Sequence, residues 1–201
     1  MSVMQYTEIE ETWHKLSLIS GHARRDHDFQ FTSLAHLLNK EYLRDCYKSL
    51  KRNKAVGIDN VSWEDYGRKL DENLELLELR LKRKKFKPLP ARRVYIPKND
   101  TEKRPLGISA LENKIVERGI TWILQSIYEE DFLDCSYGFR PKRNAHQALK
   151  KLNDLITFQP VNHIVETDIK GFFDNVSHEK LMEFLQIRVK DASLKPRKRF
   201  L

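Results

Sequence analysis

From Leu34 onward, apolar residues recur at steps of three and four. Leu34, Leu37, Leu38, Tyr42, Leu43, Cys46 and Leu50 predict an amphipathic helix over 34–50. The stretch Asn53-Lys-Ala-Val-Gly-Ile-Asp-Asn predicts a loop. Ser62 then reads as an N-cap with Asp65 three residues on, opening one helix whose stripe is Tyr66, Leu70, Leu74, Leu77 and Leu81. That stripe is expected to pack in the core, and the adjoining Lys82-Arg-Lys-Lys suits the negative end of a helix. The first 30 residues, with His22-Ala-Arg-Arg-Asp-His-Asp, are polar and weakly patterned, and predict a helix and a loop leading in.

The period then changes. Arg92 to Pro97 predicts a strand with Val94 and Ile96 on one side, turning through Lys98-Asn-Asp-Thr-Glu-Lys and returning through Arg104-Pro-Leu-Gly-Ile as a basic hairpin. Leu111, Ile115, Ile120, Ile123, Leu124 and Ile127 define a long helix. Cys135-Ser-Tyr-Gly-Phe-Arg-Pro is a loop, and Asn144 caps a helix carrying Ala145, Ala148, Leu149, Leu152, Leu155 and Ile156 inward. His163 to Ile169 predicts a strand with Ile164, Glu166 and Asp168 on one face. Gly171 breaks it, and Ser177 caps a helix through Leu181, Phe184 and Leu185, where His178 has a structural place. The fold class is therefore α+β and helix-rich.

Composition removes several classes of protein. At 201 residues, with 40% hydrophobic and 33% charged residues, seven Gly and seven Pro, the chain is globular, neither collagenous nor disordered. Cys46 and Cys135 lie far apart with no ligand-like spacing to any histidine, so both are expected as reduced thiols. No signal peptide and no run of 18 apolar residues is present; the expectation is a bacterial cytoplasmic protein with no membrane partner.

Charge adds a direction. The net charge is +8, but residues 80–104 alone hold eleven Lys or Arg against Asp100 and Glu102, and the tail from Arg188 carries six cations against one acid, leaving the rest of the chain net negative. A field segregated in this way suits a polyanion, because each cation that neutralises a phosphate releases a condensed counterion; a solvated basic helix end is the plainer alternative.

The chemistry is concentrated in Glu166-Thr-Asp-Ile-Lys-Gly-Phe-Phe-Asp-Asn-Val. A strand ending in a carboxylate beside a glycine turn can hold a divalent ion, and Mg²⁺ takes one or two carboxylates plus substrate phosphates. By spacing alone, Asp168 is more often a strand-ending turn residue than a ligand.

From residue 53 the sequence resembles the reverse transcriptases encoded by group II introns, within the bacterial retron-type superfamily. Lys54-Ala-Val-Gly-Ile-Asp is similar to the family's early loop; Arg92-Arg-Val-Tyr-Ile-Pro-Lys with Lys103-Arg-Pro-Leu-Gly-Ile is similar to its fingers hairpin; Ser136-Tyr-Gly-Phe-Arg-Pro resembles its template-side loop; Thr167-Asp-Ile-Lys-Gly-Phe-Phe-Asp resembles its first catalytic motif. The resemblance covers roughly residues 34–185. It implies the helix-rich fingers and incomplete palm of a right-hand polymerase: a lead-in over 1–33, fingers over 34–160 with the hairpin near 92–108, and the start of a palm over 161–201.

The same resemblance implies roles. Asp168 would be catalytic and, with the carbonyl of Ile169, a ligand of two Mg²⁺ ions. Lys98 and Arg104 would hold the triphosphate of a deoxynucleotide (dNTP), and Phe173 would sit beneath its sugar as a gate against a 2′-hydroxyl. Arg92, Arg93 and Arg140 would contact RNA template; Asp174 is either a carboxylate behind the metal site or a helix-entry residue. The implied function is RNA-directed DNA polymerisation, with RNA template, intron RNA, DNA primer or target and dNTP as partners in a nucleoid-associated ribonucleoprotein. The sequence departs from the family: it has no Tyr-x-Asp-Asp, nor the intervening glycine-containing motif, the thumb, or the DNA-binding and endonuclease extensions that full-length relatives carry. The expectation is a truncated chain, inactive alone, with an exposed strand edge that favours a homodimer or a complementing polypeptide. The alternative function is a maturase-like RNA-binding module that assists intron splicing; a CRISPR-associated or abortive-infection reverse transcriptase is a third reading.

Overall fold

The computed structural model describes residues 3–97, 99 and 102–194, with side chains from Glu11 onward. The elements are α1 (Val3–Arg25), α2 (Lys40–Ser49), α3 (Trp63–Gly67), α4 (Leu70–Lys82), the hairpin β1 (Arg92–Pro97) and β2 (Lys103–Ile108), α5 (Leu111–Tyr128), α6 (Ala145–Phe158) and α7 (His178–Arg188). Short 3-10 turns lie at Ala35–Leu37 and Phe173–Asn175. Helices dominate and the two strands form the one described sheet, so the class is α+β. No described helix is long and apolar enough to cross a membrane.

Helices α1, α2, α4 and α5 make the core. The predicted apolar steps of 34–50 are realised as the 3-10 turn and then α2, because the Asn39 side chain accepts from the Tyr42 amide and restarts the chain as an α-helix. Leu34, Leu43 and Cys46 meet Leu74 and Leu77 of α4 and Ile115, Ile123 and Ile127 of α5, all of them buried. Burial pushes the Cys46 thiol up to about 12, with the charge of Asp45 adding to the effect, so it stays protonated. Both cysteines are free. At the crossing of α2 and α5 the backbone of Gly119 lies against α2: a Cβ there would sit 2.9 Å from Leu38 Cδ2 and 3.1 Å from Tyr42 Cε1. The Tyr42 hydroxyl donates to the Gly119 carbonyl at 2.9 Å across the same contact.

Four features differ from what the sequence pattern predicts. The helix opened by Ser62 is two helices, α3 and α4, with a break at Arg68-Lys69; Tyr66, Leu74 and Leu77 still point inward. The lead-in is part of the core, since α1 packs on α5 and buries Leu16 and Ala23. The apolar face of α6 has no cover among the described residues: Leu149, Leu152 and Ile156 are exposed although Asn144 caps the helix as expected, in a capping box with Gln147. Finally, His163–Ile169 is not a strand. It is an exposed segment without regular structure, because a strand is held by hydrogen bonds to a neighbour and none of the described residues supplies one there.

The segment after α7 is the larger surprise. Phe31 and Val189 pair as a parallel bridge, with the Phe31 amide donating to the Arg188 carbonyl at 2.7 Å. Arg188 is buried, fork-bonded to both carboxylate oxygens of Asp131 at 2.6 and 2.8 Å. Asp191 Oδ2 accepts from the amides of Leu34 and Ala35 at 2.7 and 2.8 Å. Burial by itself would raise the Asp191 carboxyl, but the bonds from Leu34, Ala35 and Ser193 outweigh it and hold the group below its ordinary value. Two residues whose charges count toward a basic tail in the sequence are thus internal ties between the end of the described chain and its beginning.

Candidate nucleic-acid interface

The basic stretch begins where α4 ends. Lys85 N donates to Arg80 O at 2.8 Å and Lys84 N to Leu81 O at 2.9 Å, the paired bonds of a Schellman cap. Lys84 takes the left-handed position of that cap, at φ 52°. A residue with a Cβ pays about 1–2 kcal/mol there relative to the right-handed region. The connection from there to β1 is tied to the core by Asn113, whose side chain donates to Leu89 O at 2.7 Å and accepts from Leu89 N at 3.2 Å.

The strands then pair antiparallel, Arg92 opposite Ile108 through Pro97 opposite Lys103. Directly opposed residues share a face, so the hairpin divides its cations. Arg93 and Lys103 lie on one face; Arg92 and Arg104 lie on the other, which also carries Val94, Leu106 and Ile96. Arg92, Val94 and Ile96 are half-buried as the alternation predicts. The strands pack chiefly on each other, and β2 is exposed from Lys103 to Gly107, so the hairpin projects from the helical body.

Several cations of this region are engaged internally. Arg80 forks onto Glu112, both bonds at 2.7 Å, joining α4 to the start of α5. Lys82 pairs with Glu78 at 2.6 Å. Arg92 donates twice to the Val56 carbonyl, at 2.9 and 3.1 Å, so it anchors the early loop and does not face solvent as a free template contact. Arg83, Lys85, Lys87, Arg93, Lys103 and Arg104 are exposed, and their side chains make no hydrogen bond or ion pair with a described residue. Lys98 lies outside the described residues.

The loop after α5 departs most from expectation. The Arg140 side chain is only 7% exposed, paired with Glu129 at 2.7 Å and donating to the carbonyls of Leu133 and Ser136 at 2.8 and 3.0 Å. Its guanidinium folds the loop on itself and lies against Phe132, so it is not presented to a template. The residue the loop presents is Phe139, fully exposed and held at φ 58°. Periodicity gives no access to such a position, since a lone aromatic between glycine and arginine has no apolar partner in the pattern.

Asp168 and Ile169 lie in the exposed segment, with Ile169 two-thirds accessible. The chain then turns at Gly171, φ 61°, where the Asn175 side chain donates to the Gly171 carbonyl at 2.8 Å. The turn sets Phe172 and Phe173 edge to face, centroids 5.3 Å apart, with the Phe173 ring 81% exposed. Among the described residues no group of three or more His, Cys, Asp or Glu could hold a metal ion. The donors present, one exposed carboxylate and the carbonyl after it, do not by themselves fit the pair of Mg²⁺ ions that the resemblance implies.

An exposed basic hairpin on a helical body, followed by an acidic residue before a glycine turn, falls within a known pattern: residues 96–194 match the family model described as reverse transcriptase (RNA-dependent DNA polymerase). The chain belongs to the reverse transcriptase family. Its relatives include a protein named as encoded by a group II intron. The chain is 34% identical over 181 residues to group II intron-encoded protein LtrA of Lactococcus lactis subsp. cremoris, covering 89% of this chain and 30% of that protein. It is 34% identical over 177 residues to protein YkfC of Escherichia coli strain K12, covering 85% and 46%. An uncharacterized 91 kDa protein in a cob intron of Schizosaccharomyces pombe is 32% identical over 155 residues, covering 77% and 19%. The chain thus spans between about a third and a half of the length of the first two relatives.

Proposed function

We propose that these residues are the fingers and the beginning of the palm of a group II intron-type reverse transcriptase, gripping RNA through the projecting hairpin and the end of α4. In this reading 1–33 brace the fingers, 34–160 are the fingers themselves, and 161–201 begin the palm. The observation that carries it is the set of unpaired cations on both faces of a hairpin that little else covers. Phosphate contacts of this kind position a nucleic acid without reading its sequence. Arg93 and Lys103 would follow the template backbone on one face. Arg104, with Lys98, would take the triphosphate of a dNTP on the other, where a guanidinium can donate to two oxygens at once. Arg92 and Arg140 serve indirectly: the first fixes the early loop, and the second fixes the loop that presents Phe139.

Phe173 is exposed beyond a rigid turn, which suits a ring meant to lie against an incoming sugar and exclude a 2′-hydroxyl. Asp168, with the carbonyl of Ile169, would be this chain's contribution to a Mg²⁺ site. The ions would assist attack of a DNA primer hydroxyl, and further carboxylates would have to come from residues other than these. Asp174 stands behind that site or only begins the 3-10 turn. Two like-charged ions need more than one carboxylate between them, so the 201 residues alone should not polymerise. With RNA template, DNA primer, dNTP and Mg²⁺, incorporation should equal that of an Asp168→Ala control; incorporation above the control would overturn the assignment.

A second reading is favoured by the free cations together with the missing carboxylate cluster: a maturase-like module that binds intron RNA and assists splicing without catalysis of its own. Both readings share the RNA grip and imply a ribonucleoprotein. They part on the exposed apolar residues of α6 and 161–187, which the first covers with a complementing polypeptide or a second copy.

A further inference from the structure

At the edge of the core three side chains are layered. Tyr47 and Trp63 stack with centroids 4.5 Å apart and planes inclined by 11°. The Arg52 guanidinium carbon lies 4.4 Å above the same Trp63 ring. The pair beneath is fixed without help from Arg52: the Tyr47 hydroxyl donates to Trp63 O at 2.7 Å and Trp63 Nε1 donates to Tyr47 O at 3.2 Å. Tyr47 is buried and Trp63 half-buried, while Arg52 is exposed and makes no hydrogen bond or ion pair with a described residue. Its five donors and outer face are therefore available.

The surroundings carry one sign of charge. From Lys48 to Lys54 the chain holds four cations and no acid, and Lys48, Lys51, Arg52 and Lys54 are all exposed. The three residues after Lys54 are stapled down. Lys114 donates to Ala55 O at 3.1 Å, Arg92 grips Val56 O, and Gly57 is pressed so close to Ala110 that a Cβ would sit 2.5 Å from its Cα. The cations thus stand on a base that does not need to be ordered at binding.

We propose that Arg52, backed by Trp63, is a stacking site for one unpaired base of single-stranded nucleic acid, RNA first, with Lys51 and Lys54 on the neighbouring phosphates. The site rests on the reading of the chain as an RNA binder but uses none of the hairpin's free cations. Single-stranded RNA is recognised by stacking bases on aromatic rings or guanidinium planes. A guanidinium already held over an indole loses little freedom when a base stacks on it, and its N–H donors remain available to phosphate oxygens.

The test titrates the whole chain with fluorescein-labelled oligoadenylate of about ten nucleotides across a salt series, for wild type, Arg52→Lys and Arg52→Ala. Arg52→Lys keeps the charge and loses the plane, so binding should weaken about tenfold with the salt slope unchanged. Arg52→Ala should weaken it at least as much and lower the slope by about one. An oligomer of the same length made of abasic ribose phosphate should bind wild type and Arg52→Lys alike. Arg52 is exposed on a loop, and unchanged thermal unfolding of both variants separates binding from folding. Oligodeoxyadenylate run in parallel names the strand: sensitivity to Arg52→Lys in either oligomer supports the site, and insensitivity in both overturns it. A wild-type chain that binds no RNA overturns the fingers reading as well; a steep salt slope with an indifferent Arg52→Lys overturns only this site.

Discussion

At the scale of single residues, Lys84 carries the clearest tension between stability and charge. It caps α4 from the left-handed region, where glycine would avoid a cost of about 1–2 kcal/mol, and it belongs to the basic run that precedes the hairpin. Lys84→Gly is expected to raise stability by about 1 kcal/mol in chemical denaturation while lowering the salt slope of RNA binding by about one. A variant that is less stable, or that keeps the full slope, contradicts this account of the position. The charges of Arg188 and Asp191 show the opposite case, because both are internal ties. The sequence counts them toward a basic tail for a physical reason: a charge count is blind to a partner far along the chain, 57 residues away for Arg188 with Asp131 and 157 for Asp191 with Leu34. Arg140 obeys the same logic, its fork being closed on Glu129. Lys103 and Arg104, on a hairpin with two exposed faces, needed no distant partner to be read correctly.

At the scale of elements, periodicity located α2, α4 and α5 but not the weakly patterned α1, and caps marked further starts: Ser62 for α3 and Asn144 for α6 from the sequence, Asn39 for α2 by structure alone. Local signals suffice there because a cap and an apolar stripe are both made within a few residues. The strand predicted over His163–Ile169 is different, since alternation states a preference and only a neighbouring strand can realise it. Close packing between elements is also legible only in three dimensions, and two glycines separate it from helix propensity. Gly119 touches Leu38 and Tyr42, whereas nothing lies within 4 Å of a Cβ at Gly21 in α1. Gly21→Ala should therefore stabilise the chain by about 0.5–1 kcal/mol, while Gly119→Ala should destabilise it by about 1 kcal/mol or more because overpacking exceeds the gain in propensity. Equal gains from both in thermal unfolding would show that α2 and α5 do not meet at Gly119.

At the scale of the whole molecule, a four-helix core holds a projecting cationic hairpin and a stacked Arg52–Trp63–Tyr47 edge, and both carry exposed cations without a described ion-pair partner. The family was legible because its motifs are short and each keeps its local form: the hairpin, the early loop and the glycine turn all appear where the residues predict them. The carboxylate site was legible as a motif and not as a geometry, since no group of three or more His, Cys, Asp or Glu forms a metal-holding cluster among the described residues. The central claim is that this chain grips RNA by its hairpin, and one measurement meets it directly: binding of the purified chain to structured RNA over a salt series, wild type against an Arg93→Ala, Lys103→Ala, Arg104→Ala variant. The account predicts a steep log–log slope for wild type that falls by about three in the variant, with thermal unfolding unchanged. A slope that is shallow in the wild type, or the same in both, would contradict it.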